Sequence, residues 1–218
     1  MTSKENPIEF TGGIDIPVVY IRGRISTWTF EDPDIKQWVE SHLEGRVLNL
    51  FAGKTKLNHV EEIIRVDINE DRDADYHFDA LHVRDHFDAR SFDTVILDPP
   101  FSEIQSRKHY EGEHAGKFKH IRDQVAELVR PGGKTITFGY HSTGLATTRG
   151  FEKQEIALIN HGGRFPDTVG TVDEKTAEVV ERKGDNPRDN NTSEQMYEHE
   201  RDKIGVVEQK QQTQLGNY

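Results

Sequence analysis

Four short apolar runs in the first half of the chain each stop at a residue that cannot continue them. Val47-Leu48-Asn49-Leu50-Phe51 stops at Ala52-Gly53, and Ile63-Ile64-Arg65-Val66 stops at Asp67. The weaker Tyr76-His77-Phe78 stops at Asp79, and Thr94-Val95-Ile96-Leu97 stops at Asp98-Pro99-Pro100-Phe101. Runs this short, apolar on both faces and interleaved with helical periodicity, predict strands of a parallel sheet covered on both sides. A fifth strand is expected at Thr135–Phe138. Two more, Glu155–Asn160 and Thr168–Val172, flank Gly162-Gly163 closely enough to pair antiparallel at the sheet edge. The fold class is therefore α/β, a doubly wound, mostly parallel sheet with an antiparallel edge strand. Weak alternation around Val18-Val19-Tyr20-Ile21 adds a further edge strand.

The helical segments have readable ends. Asp32 is placed to cap a helix over Asp32–Leu43, with Pro33 in the first turn, Ile35, Val39 and Leu43 on one stripe, and Gly45 as the stop. Phe118–Val129 carries Ile121, Val125, Leu128 and Val129 on a second stripe, broken by Arg130-Pro131-Gly132-Gly133. Gly144–Gly150 reads as a short helix, and Leu57–Glu62 as a stub at most. Beyond Asp173 the chain turns polar. Residues 174–218 hold 7 basic and 10 acidic side chains and few large apolar ones, too little to offset ordering entropy. Three segments follow: an N-terminal strand and helix extension over 1–45, a core over 46–173, and a polar, disordered tail over 174–218 with a short helix at Glu194–Lys203.

Composition excludes several classes. The absence of cysteine removes disulfides, thiolate zinc sites and thiol nucleophiles. No apolar run approaches a membrane span, and MTSKENPIEF lacks a signal-peptide core, so a cytoplasmic protein is expected. The 11 histidines show no metal-binding spacing. Acidic residues number 39 against 28 basic, a net charge of −11. Such a field repels nucleic acid at low salt. In a salt-rich cytoplasm it is screened within a few ångströms and becomes a solubility adaptation.

In open α/β sheets, ligands bind beyond the carboxyl ends of the strands. Gly53, Asp67, Asp79 and Asp98 stand at four such ends. Gly53 allows a sharp turn and close backbone approach. The Gly53-Lys54-Thr55 sequence is not a phosphate-binding P-loop, because the required earlier glycine is replaced by Leu48. Asp67 can accept from ribose hydroxyls. After Asp98, two prolines cannot extend the ladder and fix a rigid projecting loop. That loop offers the Asp98 carboxylate, the Pro99 carbonyl and the Phe101 ring, a set suited to a planar base bearing an exocyclic amine. Two acceptors bind its two N–H groups and favour pyramidal nitrogen, while the ring stacks.

Leu50-Phe51-Ala52-Gly53, Asp67-Ile68-Asn69, Asp79-Ala80 and Asp98-Pro99-Pro100-Phe101 resemble successive motifs of the class I S-adenosylmethionine-dependent methyltransferases. The last motif is similar to that of the branch methylating adenine N6 or cytosine N4 in DNA. Trp28-Thr29-Phe30 resembles a segment of archaeal DNA-methyltransferase-like proteins, and the likeness spans Ser26 to Asp173. It implies a Rossmann-like fold with S-adenosyl-L-methionine as cofactor. Phe51, Ala52 and Gly53 would lie against the methionine moiety, Asp67 would hold the ribose with Asn69 nearby, and Asp79 and Ala80 would meet the adenine. Thr27 and Trp28 would match an N-terminal cofactor-contacting motif. Asp98, Pro99, Pro100 and Phe101 would orient the target amine.

The chain departs from that family at Thr55, where a second glycine is usual, and the region after Asp173 is too polar to be expected to form a target-recognition domain. Sequence specificity is thus expected from a separate partner or a homo-oligomer. The basic residues of the 102–117 loop, Arg107, Lys108, His109 and Lys117, are candidates for phosphates. Ribosomal RNA guanine methylation, protein-glutamine methylation and a cofactor-binding partner subunit without activity are the alternatives.

Overall fold

The computed structural model describes residues 15–24, 26–59, 61–99, 113–163 and 165–176, with side chains from Phe118 onward in the fourth stretch. Residues 177–218 of the expected tail, including Glu194–Lys203, lie outside these residues, as do Pro100, Phe101, Arg107, Lys108 and His109. The tail's first residues do not: Glu174 and Lys175 complete the last strand instead of opening a disordered segment.

Seven strands form one sheet: β1 (Val18–Arg22), β2 (Val47–Leu50), β3 (Ile63–Val66), β4 (Phe92–Leu97), β5 (Val129–Gly139), β6 (Phe151–Asn160) and β7 (Thr168–Lys175), in the spatial order β1-β6-β7-β5-β4-β2-β3. All run one way except β7, which is antiparallel to both neighbours. The expected pairing of the last two strands is present. Because β1 adds outside β6, however, the pair lies inside the sheet rather than at its rim.

The strands alternate between two cores, as burial on both faces requires. Leu48, Leu50, Val95 and Leu97 meet α2 (Val83–His86) and α3 (Glu113–Leu128) through Val83, Ile121, Val125 and Leu128. Val47, Ile96, Ile136 and Phe138 meet α1 (Pro33–Glu40) through Ile35, Trp38 and Val39. Asp32 caps α1 as expected, accepting from the Asp34 and Ile35 amides at 3.0 and 3.1 Å. Gly170 of β7 makes room for Trp38: a Cβ there would lie 2.9 Å from the indole. Phe30 fixes the segment before α1 by an edge-on contact with Phe138 at 5.7 Å.

Several expectations are corrected. Among the described residues, no helix stands between β2 and β3, so the Leu57–Glu62 stub is absent. Asn49 and Arg65, both buried, pair in register beside Val47 and Ile63, and Leu57 packs on this cluster without forming a helical turn. Tyr76–Phe78 contributes a single bridge, Val66 to Tyr76, not a strand. Gly144–Gly150 contains one 3₁₀ turn, Thr147–Arg149. Helix α3 starts at Glu113, so Lys117 belongs to a helix and not to a loop. No described helix is long and apolar enough to cross a membrane.

The rim where β2 and β4 begin is tied by Asp93. Its carboxylate accepts from the Arg46 amide at 2.8 Å and from the Arg130 guanidinium at 2.8 and 3.0 Å. Lys175, buried at the end of β7, donates to the carbonyls of Ala126 and Val129 at 2.6 and 2.8 Å, closing the end of α3. Lys175→Met should cost about 1–3 kcal/mol, the penalty of two buried acceptors left unmet. Urea unfolding should then show a lower midpoint at unchanged slope.

Candidate functional site

Register brings three of the predicted residues to one place. Leu50 pairs with Val66 on one side and Leu97 on the other. The residues that follow, Phe51, Asp67 and Asp98, therefore leave the sheet side by side, roughly one strand spacing of about 4.8 Å apart.

The turn after β2 is strained and braced. Phe51 has φ +62°, a region non-glycine residues rarely occupy, and Gly53 has φ +57°. The Ala52 amide donates to the Val66 carbonyl at 2.9 Å, and the Gly53 amide to Asp67 Oδ2 at 2.9 Å. The other oxygen of Asp67 accepts from the Asn69 amide at 2.9 Å. Asn69 closes a turn of its own, its Oδ1 accepting from Asp71. Asp79 caps the 3₁₀ turn Ala80–His82 by accepting from the Leu81 amide at 3.0 Å, with Ala80 buried beside it.

Arg65 holds this turn and was not among the predicted site residues. Only 8% exposed, it donates to the Gly53 and Thr55 carbonyls at 3.0 and 3.4 Å and to the Asp73 carbonyl. Its own amide donates to Asp75 at 2.8 Å. The available signal was an arginine inside an otherwise apolar run. A guanidinium buried there needs oxygen acceptors, and the exposed carbonyls of a helix-free loop provide them.

Trp28 lies over Gly53, so close that a Cβ on the glycine would come within 2.7 Å of the indole. Two cations flank the same ring, Arg72 at 5.1 Å and Lys54 at 5.9 Å from its centre. Thr27 is exposed. The next residue in the chain reaches the other half of the site: the Thr29 hydroxyl donates to the Asp98 carboxylate. Trp28 and Thr29 therefore connect the end of β2 to the end of β4. Thr29 was read only as part of a resembling segment, because its partner lies 69 residues along the chain.

Asp98 is half-buried and Pro99 buried. Burial pushes the Asp98 carboxyl up to about 7, against the opposing pull of the Thr29 hydrogen bond. The unfolded chain loses this proton near 3.8 while the folded chain keeps it to about 7. Stability must therefore fall as pH rises through that window. Asp98→Asn removes the decline. Its melting temperature should exceed that of the parent by several degrees at pH 8, and the two should coincide below pH 3.5.

No protein-family model and no curated protein matches the chain. Among solved structures it is similar to the (4+2)-cyclase SpnF, with TM-score 0.50 and 11% identity over 74% of this chain and 90% of that one. It is also similar to a SAM-dependent methyltransferase from Methanosarcina mazei, with TM-score 0.47 and 12% identity over 65% and 98% of the two chains. TrmN from Thermus thermophilus gives TM-score 0.47 and 18% identity over 66% of this chain and 49% of that one. At these identities the likeness is one of fold. The chain has a Rossmann-like α/β fold.

Proposed function

We propose that the chain is an S-adenosylmethionine-dependent methyltransferase acting on an exocyclic amine of a nucleic-acid base, adenine N6 or cytosine N4 in DNA. The observation that carries this reading is the Trp28-Thr29 pair, which packs on Gly53 with one residue and bonds Asp98 with the next. It joins a turn suited to a nucleoside cofactor to a carboxyl suited to an amine.

The residues at the rim fit such a cofactor. Asp67 gives one acceptor site of each oxygen to a backbone amide. A carboxylate has about four such sites, so two remain for ribose hydroxyls. Asp79 keeps acceptor capacity beyond its bond to Leu81. When bound, S-adenosylmethionine supplies an electrophilic methyl group.

The chain's own contribution is to position the nucleophile. On a base flipped from its stack, the Asp98 carboxylate and Pro99 carbonyl accept the two amine hydrogens and draw the nitrogen towards a pyramidal shape. As nitrogen gains the methyl group it becomes cationic and acidic, and its proton passes to Asp98 or to solvent. The contact with Asp98 strengthens as that charge develops, so its loss falls on kcat.

Tritiated methyl transfer to DNA, RNA and protein, at low and multimolar salt, tests the reading. Asp67→Ala should weaken cofactor binding about tenfold or more in calorimetry, as lost charged hydrogen bonds cost roughly 1.5–3 kcal/mol. Asp98→Ala should abolish transfer and spare cofactor affinity. Full activity in that variant with any nucleic acid overturns the proposal.

The ionised form of Asp98 is the acceptor, so the rate should rise with pH through a midpoint near 7. Thr29→Val removes a hydrogen bond that favours the carboxylate. The midpoint of the pH–rate profile should move upward in that variant, and an unmoved profile would remove Thr29 from the site.

A further inference from the structure

A cleft of about 610 Å³ opens where β1 and β6 end, with Tyr20, Arg22, Arg24, Asn160 and His161 in its lining. Tyr20 and Arg22 stand two apart on β1 and so share one face of this edge strand. Tyr20 is 58% exposed, and Arg22 sits opposite Asn160 in the ladder.

In a chain of net charge −11, this concavity bears two exposed arginines, Arg22 and Arg24. Arg22 joins no ion pair among the described residues. Asp32, whose charge Arg24 attracts, is 3% exposed and already accepts the amides of Arg24, Asp34 and Ile35. Asp167 is engaged by the Asn160 amide at 2.9 Å. His161 bonds Thr168 through Nε2 at 2.9 Å, while its buried Nδ1 has no partner among the described residues. Two guanidinium groups and an open phenol ring are the chemistry of a phosphodiester with a base beside it.

The place of the cleft gives it a role. Strands β1, β6 and β4 run in one direction, so their ends share a rim. From β6 to β4 the sheet crosses β7 and β5, three spacings or about 14 Å. Along one strand of nucleic acid that is roughly four phosphates at 3.4 Å per step of the helix axis.

We infer that this cleft holds the phosphodiester backbone of the strand flanking the target base, with Tyr20 stacking a neighbouring base; the inference rests on the methyltransferase reading above. It places a substrate-binding surface on the N-terminal strand.

Fluorescence anisotropy of the full chain with labelled single-stranded DNA and RNA, across a salt series, tests it. In the Arg22→Gln/Arg24→Gln protein, affinity for the preferred strand should fall at least tenfold. The slope of log affinity against log salt should shrink by about 1.4, two contacts at roughly 0.7 each for single strands. Tyr20→Ala should weaken binding while leaving the salt slope as it was. Affinity and slope unchanged in the double variant, or no binding by the parent chain, overturns the cleft as a strand site. A parent chain that binds oligonucleotide through these arginines but never takes up S-adenosylmethionine overturns the methyltransferase reading and leaves the cleft standing.

Discussion

A parallel sheet buried on both faces leaves polar side chains little room except at its rims, and the rest of this molecule follows from that restriction. The starting rim is tied down by Asp93, which takes the Arg46 amide and the Arg130 guanidinium. At the opposite rim, β2 lies between β3 and β4 in a register that sends Phe51, Asp67 and Asp98 out together. Three residues far apart in sequence are neighbours there because the hydrogen-bonded ladders allow no other arrangement.

One part of the sheet breaks the apolar rule, and the local architecture changes with it. Asn49 and Arg65, both buried, pair across β2 and β3. The link between these strands carries no helix among its described residues. Two of its backbone carbonyls, those of Gly53 and Thr55, are acceptors of Arg65. The guanidinium thus serves as the fastener that helix packing supplies elsewhere in the fold. This also accounts for the short spacing of 14 residues between Gly53 and Asp67: their direct bond at 2.9 Å draws the two ends of the link together.

Strands β2, β3 and β4 were legible because each is a run largely buried on both faces, a pattern few other structures need, whereas the exposed β1 offered only weak alternation. Ile63–Val66 matches β3 residue for residue, and Asp32 with Pro33 marked the start of α1. Reading failed where the deciding contact is remote. Tyr76–Phe78 has strand-like residues but only one bridge to Val66, and nothing local places β7 between β5 and β6. At the site, Gly53, Asp67 and Asp98 were legible as polar endings of apolar runs. Arg65 and Thr29 were not, since the partners that give them meaning come from other elements.

The placement of Trp28 and Thr29 bears on how the two halves of the rim depend on each other. Adjacent Cα atoms are fixed 3.8 Å apart, so a dipeptide cannot place one residue without restricting the other. Here one ring covers Gly53 and the following hydroxyl bonds Asp98. Phe30, third in the series, is buried against Phe138 and anchors both. The hydroxyl favours the charged form of a carboxyl that burial otherwise holds neutral. The N-terminal segment therefore couples the covering of the β2 turn to the ionisation of the β4 carboxyl, through three consecutive residues rather than through the sheet between them.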